Sequence, residues 1–199
     1  MKQDIEITIA SEEHLSKIPQ IEQALLNASQ QKGTGIAVRS SEYLTAKIMA
    51  GKAIIACSNE GEWAGFCYIE SWGHNKYVAN SGLIVSTAFR GMGLAREIKK
   101  RALELSVSLF PGAKLFGLTT SLAVMKINNK LGYRPVTFSE LTDDDQFWKG
   151  CETCPYYDIL VRTKREDCLC TGMIMDPNEK KGKNGKKHPS ALNVKINHT

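Results

Sequence analysis

No apolar run among the 199 residues approaches the roughly 18 residues that a membrane helix requires. The opening Met1-Lys2-Gln3-Asp4 has no apolar segment of the secretory kind. Internal repeats are absent as well. These absences lead to the expectation of a soluble cytoplasmic protein with no membrane partner, whose six cysteines are mostly reduced thiols. What is present is ordinary for a globular chain: 42% hydrophobic and 24% charged residues, enough for one domain with a substantial core.

The net charge of +5 is unevenly distributed. From Asp176 to Thr199 six lysines stand against two acids, a balance of +4, which leaves about +1 for the rest. Lys, Gly and Asn dominate this stretch, so it is expected to be a disordered basic tail. No aromatic residue interleaves the lysines to stack on bases, and no specific nucleic-acid partner is expected.

Ile5, Ile7 and Ile9 alternate with polar residues and predict a first strand. Ser11 is placed to cap a helix, Pro19 interrupts it, and a second helical stretch follows to about Gln30. Ser40 or Ser41 caps a further helix that Gly51 ends. Ala53–Cys57 and Trp63–Ser71 flank Asn59-Glu60-Gly61-Glu62, a hairpin signal. Tyr77–Val85 then reads as a strand, Leu94–Leu109 as the longest helix, Lys114–Thr120 as a strand and Ala123–Leu131 as a short helix. Tyr157–Arg162 reads as the final strand. This order predicts a mixed sheet with helices on its faces.

Between the strand Tyr77–Val85 and the long helix lies Arg90-Gly91-Met92-Gly93-Leu94-Ala95. A glycine turn opening a helix exposes unpaired backbone N–H groups at the positive end of the helix dipole, a ready seat for a phosphate or pyrophosphate. It is not a P-loop, because Gly-Leu-Ala stands where Gly-Lys-Ser/Thr is required. Nor is it a dinucleotide turn, since Arg96 replaces the third glycine. The pattern met is Q/R-x-x-G-x-G/A, on Arg90, Gly93 and Ala95.

In this the chain resembles the GNAT acetyltransferases, whose acyl-CoA pyrophosphate loop reads the same way. Val38-Arg39-Ser40-Ser41 is similar to the Arg-Ser helix start in the acetyltransferase domain of N-acetylglutamate synthases. Leu118-Thr119-Thr120 is similar to that family's fifth strand, and Leu131-Gly132-Tyr133-Arg134-Pro135-Val136 to its Gly-Phe-x-Pro-Val turn. The resemblance covers roughly Arg39 to Val136. It implies an α/β (α+β) GNAT fold: a mixed, mostly antiparallel sheet with helices on both faces, its acyl-CoA site made by the fourth strand, loop and helix. Residues 1–175 are expected to form that domain, with 151–175 as a cysteine-containing extension and 176–199 as the tail.

The implied activity is transfer of an acetyl group from acetyl-CoA to the amine of a small amino acid, glutamate or a relative, in arginine biosynthesis. Another amine or protein acceptor, or a non-catalytic acyl-CoA binder, are the alternatives. Leu83, Ile84 and Val85 would meet the pantetheine arm by backbone groups, and an amide of Ile84 or Val85 would meet the oxyanion. Arg90, Gly91, Met92, Gly93, Leu94 and Ala95 would hold the pyrophosphate. Arg39 would grip an acceptor carboxylate, near Thr119 and Thr120. Ser121 stands where relatives acting on glutamate often carry a second arginine, and Lys76 or Arg134 is left to supply that cation. The family's fourth-strand glutamate is missing, which leaves Glu70, His74 or a water chain as the base. Its general-acid tyrosine is replaced by Asn128, suited to contact a thiolate without protonating it. The proton donor is unassigned, and a homodimer is among the options for assembly.

Cys57 and Cys67 read as core thiols. Cys151, Cys154, Cys168 and Cys170 form a cluster that fits a structural zinc, free thiols or a redox pair. If Tyr157–Arg162 is a strand, the two pairs stand roughly 15–20 Å apart, too far for one metal.

Overall fold

The computed structural model describes residues 4–179. Strands β1 (Ile5–Ile9), β2 (Ala53–Ser58), β3 (Trp63–Trp72) and β4 (Tyr77–Val85) form an antiparallel meander, interrupted after β1 by α1 (Ile18–Ser29) and α2 (Ser41–Met49). Helix α3 (Leu94–Leu109) crosses over to β5 (Lys114–Thr119), which lies parallel to β4. Then come α4 (Leu122–Lys130), β6 (Arg134–Val136), α5 (Asp145–Lys149), α6 (Tyr157–Arg162) and β7 (Thr171–Met175). Among the described residues the seven strands run β1-β2-β3-β4-β5-β7-β6, with β4–β5 as the one parallel pair. This is the mixed, mostly antiparallel sheet expected, with helices on both faces.

The central strand β3 is buried from Trp63 to Ile69, because both its faces are covered. Cys67, Ile69 and Val78 face α3, where Leu94, Ile98, Ala102 and Leu105 supply an apolar stripe at helical spacing. On the opposite face Ile55, Phe66 and Tyr68 meet Ile21 and Leu25 of α1 and Leu44 and Ile48 of α2. Ala79, Phe116 and Ile174, further along that face, are covered by Trp148 of α5 and Leu160 of α6. Ser40 caps α2 by accepting from Tyr43 N–H at 3.3 Å.

One element differs in kind from the sequence reading. Tyr157–Arg162 is a short helix, and the strand closing the sheet is Thr171–Met175. The partner slot beside β5 goes to Thr-Gly-Met-Ile-Met, whose residues from Gly172 to Met175 are all buried. In α6, by contrast, Leu160 alone is buried. The expected disordered tail lies, from residue 180 onward, outside the described residues. Within them, Asp176 approaches Lys114 at 3.8 Å and Glu179 approaches Arg134 at 3.8 Å. No helix among these residues is long and apolar enough to cross a membrane.

Candidate active site

Strands β4 and β5 pair only at Tyr77–Lys114, Val78–Leu115 and Ala79–Phe116. Beyond Ala79 they diverge, since β5 continues alongside β7 while β4 continues alongside β3. From Asn80 to Val85, β4 therefore has no strand partner on its β5 side. Backbone N–H and C=O groups facing an opening in the middle of a sheet call for a partner, and an extended chain entering there can supply it. The ladder to β3 is also irregular. Between the pairs Phe66–Ile84 and Tyr68–Ser81, the single residue Cys67 faces both Gly82 and Leu83. This is a β-bulge, a feature that re-aims backbone groups. Gly82 has φ +63°, and a Cβ there would lie 2.5 Å from the Tyr68 ring.

At the far end of the opening stands the glycine turn. Gly91 and Gly93 have φ of +80° and +83°, and no atom lies within 4 Å of where a Cβ would stand. The N–H groups from Gly91 to Ala95 donate to no backbone acceptor, whereas Arg96 N–H bonds Gly93 C=O at 3.1 Å. Five consecutive free donors at a helix N-terminus match a pyrophosphate. Arg90 Nε reaches back to Val85 C=O at 3.3 Å, and Met92 is exposed. A groove of about 510 Å³ beside the turn is lined by Val85, Ser86, Thr87 and Arg90 together with α1.

On the α2 face, Arg39 Nε donates to Tyr68 Oη at 3.0 Å, and the guanidinium carbon stands 5.3 Å from the Tyr43 ring centre. Arg39 forms no ion pair among the described residues; its other bonds go to Val38 C=O and, at 3.5 Å, to Thr153 Oγ1. Burial opposes its charge, but Tyr68 and Tyr43 oxygens outweigh that and its pKa rises. Glu70 accepts from Tyr43 Oη and is paired with Lys47, so both its oxygens are engaged. Thr120 Oγ1 accepts from Gly35 N–H at 3.1 Å, and Thr119 Oγ1 from Ser121 N–H at 3.0 Å. Tyr156 Oη accepts from Gly33 N–H at 2.7 Å. The loop carrying Arg39 is thus held over the end of β5 by the segment that precedes α6.

On the α3 face a polar group lies under the opening. Tyr133 Oη donates to Asn80 Oδ1 at 2.8 Å, and Asn80 Nδ2 donates to Ser106 Oγ at 2.9 Å. Asn128 is buried, its Nδ2 3.5 Å from Met173 Sδ and its Oδ1 without a partner. Lys99 is 2% exposed. Sequence reasoning passed over Lys99, Tyr68 and Tyr156. A signal did exist for Lys99: with Ala102 and Ser106 it falls on the inward stripe of α3.

The remaining expected residues stand apart. His74 lies in the β3–β4 turn with φ +56°, at the end of β4 remote from the glycine turn, and Lys76 follows it. Arg134 bonds Glu140 at 2.9 Å. Because α6 is a helix, the expected wide separation of the two cysteine pairs is overturned: Cys168 Sγ comes to 3.9 Å from Tyr156 C=O, two residues beyond Cys154. Even so, among the described residues no group of three or more His, Cys, Asp or Glu side chains is arranged to hold a metal ion. The zinc expectation finds no support. Burial, reinforced by neighbouring thiols, pushes Cys151 up to about 11 and Cys170 up to about 12, so both are protonated near neutrality and poor nucleophiles.

The model of the acetyltransferase (GNAT) family matches residues 23–130, just over half of the chain. A comparison with curated proteins finds no match. Among solved structures, N-acetylglutamate synthase from Neisseria gonorrhoeae, complexed with coenzyme A and N-acetyl-glutamate, is 16% identical with a TM-score of 0.64. The match covers 88% of this chain and 36% of that one. A Mycobacterium tuberculosis protein complexed with CoA is 15% identical with a TM-score of 0.62, covering 86% and 98%. A phosphinothricin acetyltransferase from Sinorhizobium meliloti, complexed with AcCoA, is 11% identical with a TM-score of 0.57, covering 88% and 89%. At such identities the likeness is one of fold, and this chain spans little more than a third of the Neisseria synthase.

Proposed function

This chain belongs to the GNAT acetyltransferase family, and on that footing we propose that it acetylates the amine of a small acidic amino acid, glutamate or a close relative. The observation that carries the acceptor half is Arg39: a half-buried guanidinium, held by two tyrosines and, among the described residues, without a carboxylate partner. Such a group binds a carboxylate through two parallel hydrogen bonds. The Neisseria synthase, complexed with N-acetyl-glutamate, makes glutamate the first acceptor to try, and arginine biosynthesis the pathway to consider.

For the donor half, the opening between β4 and β5 fits the pantetheine arm, with the backbone of Leu83, Ile84 and Val85 as its partner. The amides of Gly91, Met92, Gly93, Leu94 and Ala95, with Arg90 beside them, fit the pyrophosphate. Bound there, acetyl-CoA supplies the activated acyl group. The acceptor comes from the α2 face, guided by Arg39 with Thr119 and Thr120 near the loop that carries it. Holding amine and acyl group together makes the transfer effectively intramolecular, which is worth several kcal/mol of barrier. Glu70 is tied to Lys47 and Tyr43, so it takes the amine's proton through Tyr43 or leaves that task to solvent water. Asn128 contacts the thiol end.

CoA release with acetyl-CoA and each of the twenty amino acids tests this reading. Selective turnover with glutamate or another acidic amino acid is the expected result. Turnover confined to neutral or basic amines would overturn the acidic acceptor, and failure to bind acetyl-CoA would overturn the donor.

A further inference from the structure

Lys99 is the anomaly of the α3 face. It extends from the second turn of α3 (Leu94–Leu109) into the polar group under the opening. Its Nζ lies 4.0 Å from where a Cβ on Gly117 would stand, a point itself 3.3 Å from Asn80 C=O. Gly117 and Asn80 are the residues directly after the last β4–β5 pair, Ala79–Phe116. The ammonium is therefore at the floor of the opening, where the strands part. It also stands 5.6 Å from the centre of the Tyr133 ring, and among the described residues it makes no ion pair. A buried cation without a counter-ion is costly to the fold, and a site that develops negative charge gives it a role.

We propose that Lys99 is a catalytic residue that protonates the departing CoA thiolate. This rests on the acyl-CoA reading given above. The acceptor nitrogen bonds to the acyl carbon, the carbon–sulfur bond breaks, and its electron pair goes to sulfur. Sulfur takes a proton from the Lys99 ammonium. Of the two protons lost by the acceptor ammonium, one restores Lys99 by way of solvent and the other is released. The geometry separates the partners: the amine arrives from the α2 face, and sulfur departs toward the α3 face.

Among the described residues the titratable groups facing Lys99 are Cys67 of β3 and Tyr133 after α4; the other polar neighbours, Asn80 of β4 and Ser106 of α3, do not titrate. Burial pushes Cys67 up to about 11 and raises Tyr133 further, so neither ionises near neutrality. Burial lowers the pKa of Lys99, which brings it toward that of a thiol, near 8.5. Among the described residues Lys99 is thus the one group beneath the opening that burial shifts toward giving up its proton near neutrality.

The test is the titration of the thiol of bound CoA, followed by the ultraviolet absorbance of the thiolate, in the wild type and in Lys99→Met. In the wild type the bound thiol should ionise at least tenfold more readily than free CoA, and Lys99→Met should abolish that gain. A bound thiol that titrates like free CoA in the wild type, or identically in both proteins, would overturn the proposal. Turnover gives a second readout. Lys99→Met should lower kcat by about 10²- to 10⁴-fold, with acetyl-CoA affinity changed little and the basic limb of the pH profile gone. Equal kcat and an unchanged limb would also refute it. A wild type that binds CoA but acetylates no amine would sink the proposed function, while the thiol titration would still decide the role of Lys99.

Discussion

Arg39 and Gly93 test different halves of the proposed site. Arg39→Gln keeps hydrogen-bonding capacity but loses the charge and the fork geometry. Hydrogen bonds to charged groups are worth about 1.5–3 kcal/mol, so kcat/KM for an acidic acceptor should fall roughly 10- to 100-fold with acetyl-CoA binding intact. Steady-state kinetics with both substrates varied separates the two effects. Gly93 caps α3 at φ +83° with open space around it. A valine there is strained by about 1–3 kcal/mol and fills the space proposed for the pyrophosphate. Gly93→Val should therefore abolish acetyl-CoA binding in calorimetry while circular dichroism stays native. Lys99 has a stability consequence of its own. The unfolded chain keeps that proton up to about pH 10.4, whereas the folded protein releases it earlier. Between those two values the unfolded state binds more protons, so stability rises with pH. Lys99→Met should flatten that rise and make the protein more stable at pH 7, as denaturant melts across pH 7 to 11 would show.

Among the elements, β4 is where strand geometry becomes a site. Its bulge depends on Gly82, since any side chain there meets Tyr68 at 2.5 Å and the backbone has φ +63°. Gly82→Ala should cost roughly 1–3 kcal/mol and displace Tyr68, which holds Arg39. The acceptor KM should then rise with that of acetyl-CoA little changed. Residue spacing revealed β4 and α3 to their ends, because each carries its pattern locally: a strand ending at Val85, and a stripe from Leu94 to Leu105 closed before Gly112. It did not reveal the opening, because how far β4 and β5 stay paired is decided between segments some thirty-five residues apart and not by either segment's own pattern. Nor did it reveal α6. Ile159 and Val161 favour a strand, but the slot beside β5 was already filled, and Leu160 with the Asp158–Arg162 pair at 3.8 Å suits one helical turn and a half. The glycine turn was legible because free N–H groups and positive φ demand particular residues. Lys99 was not, because burial on an amphipathic helix is decided by what packs against it.

At the scale of the whole molecule, the family match ends at residue 130, yet the sheet does not. β7 lies between β5 and β6, and its Met173, Ile174 and Met175 are 2%, 3% and 8% exposed. Burying each such side chain is worth about 1.5–3 kcal/mol, so the strand contributes several kcal/mol against a typical total of 5–15 kcal/mol. Its loss would also strip β5 and β6 of their ladder partner and expose Phe116. A chain ending at Cys170 should consequently lose its cooperative thermal transition at 37 °C and bind dye reporters of exposed apolar surface. If it instead melted cooperatively near the full-length temperature, the C-terminal strand would be an accessory. The opening between β4 and β5 would then not depend on the support that β7 gives β5 from its far edge. That outcome would move the origin of the site from topology to the bulge at Gly82, and calorimetry of acetyl-CoA binding on the shortened chain would distinguish the two.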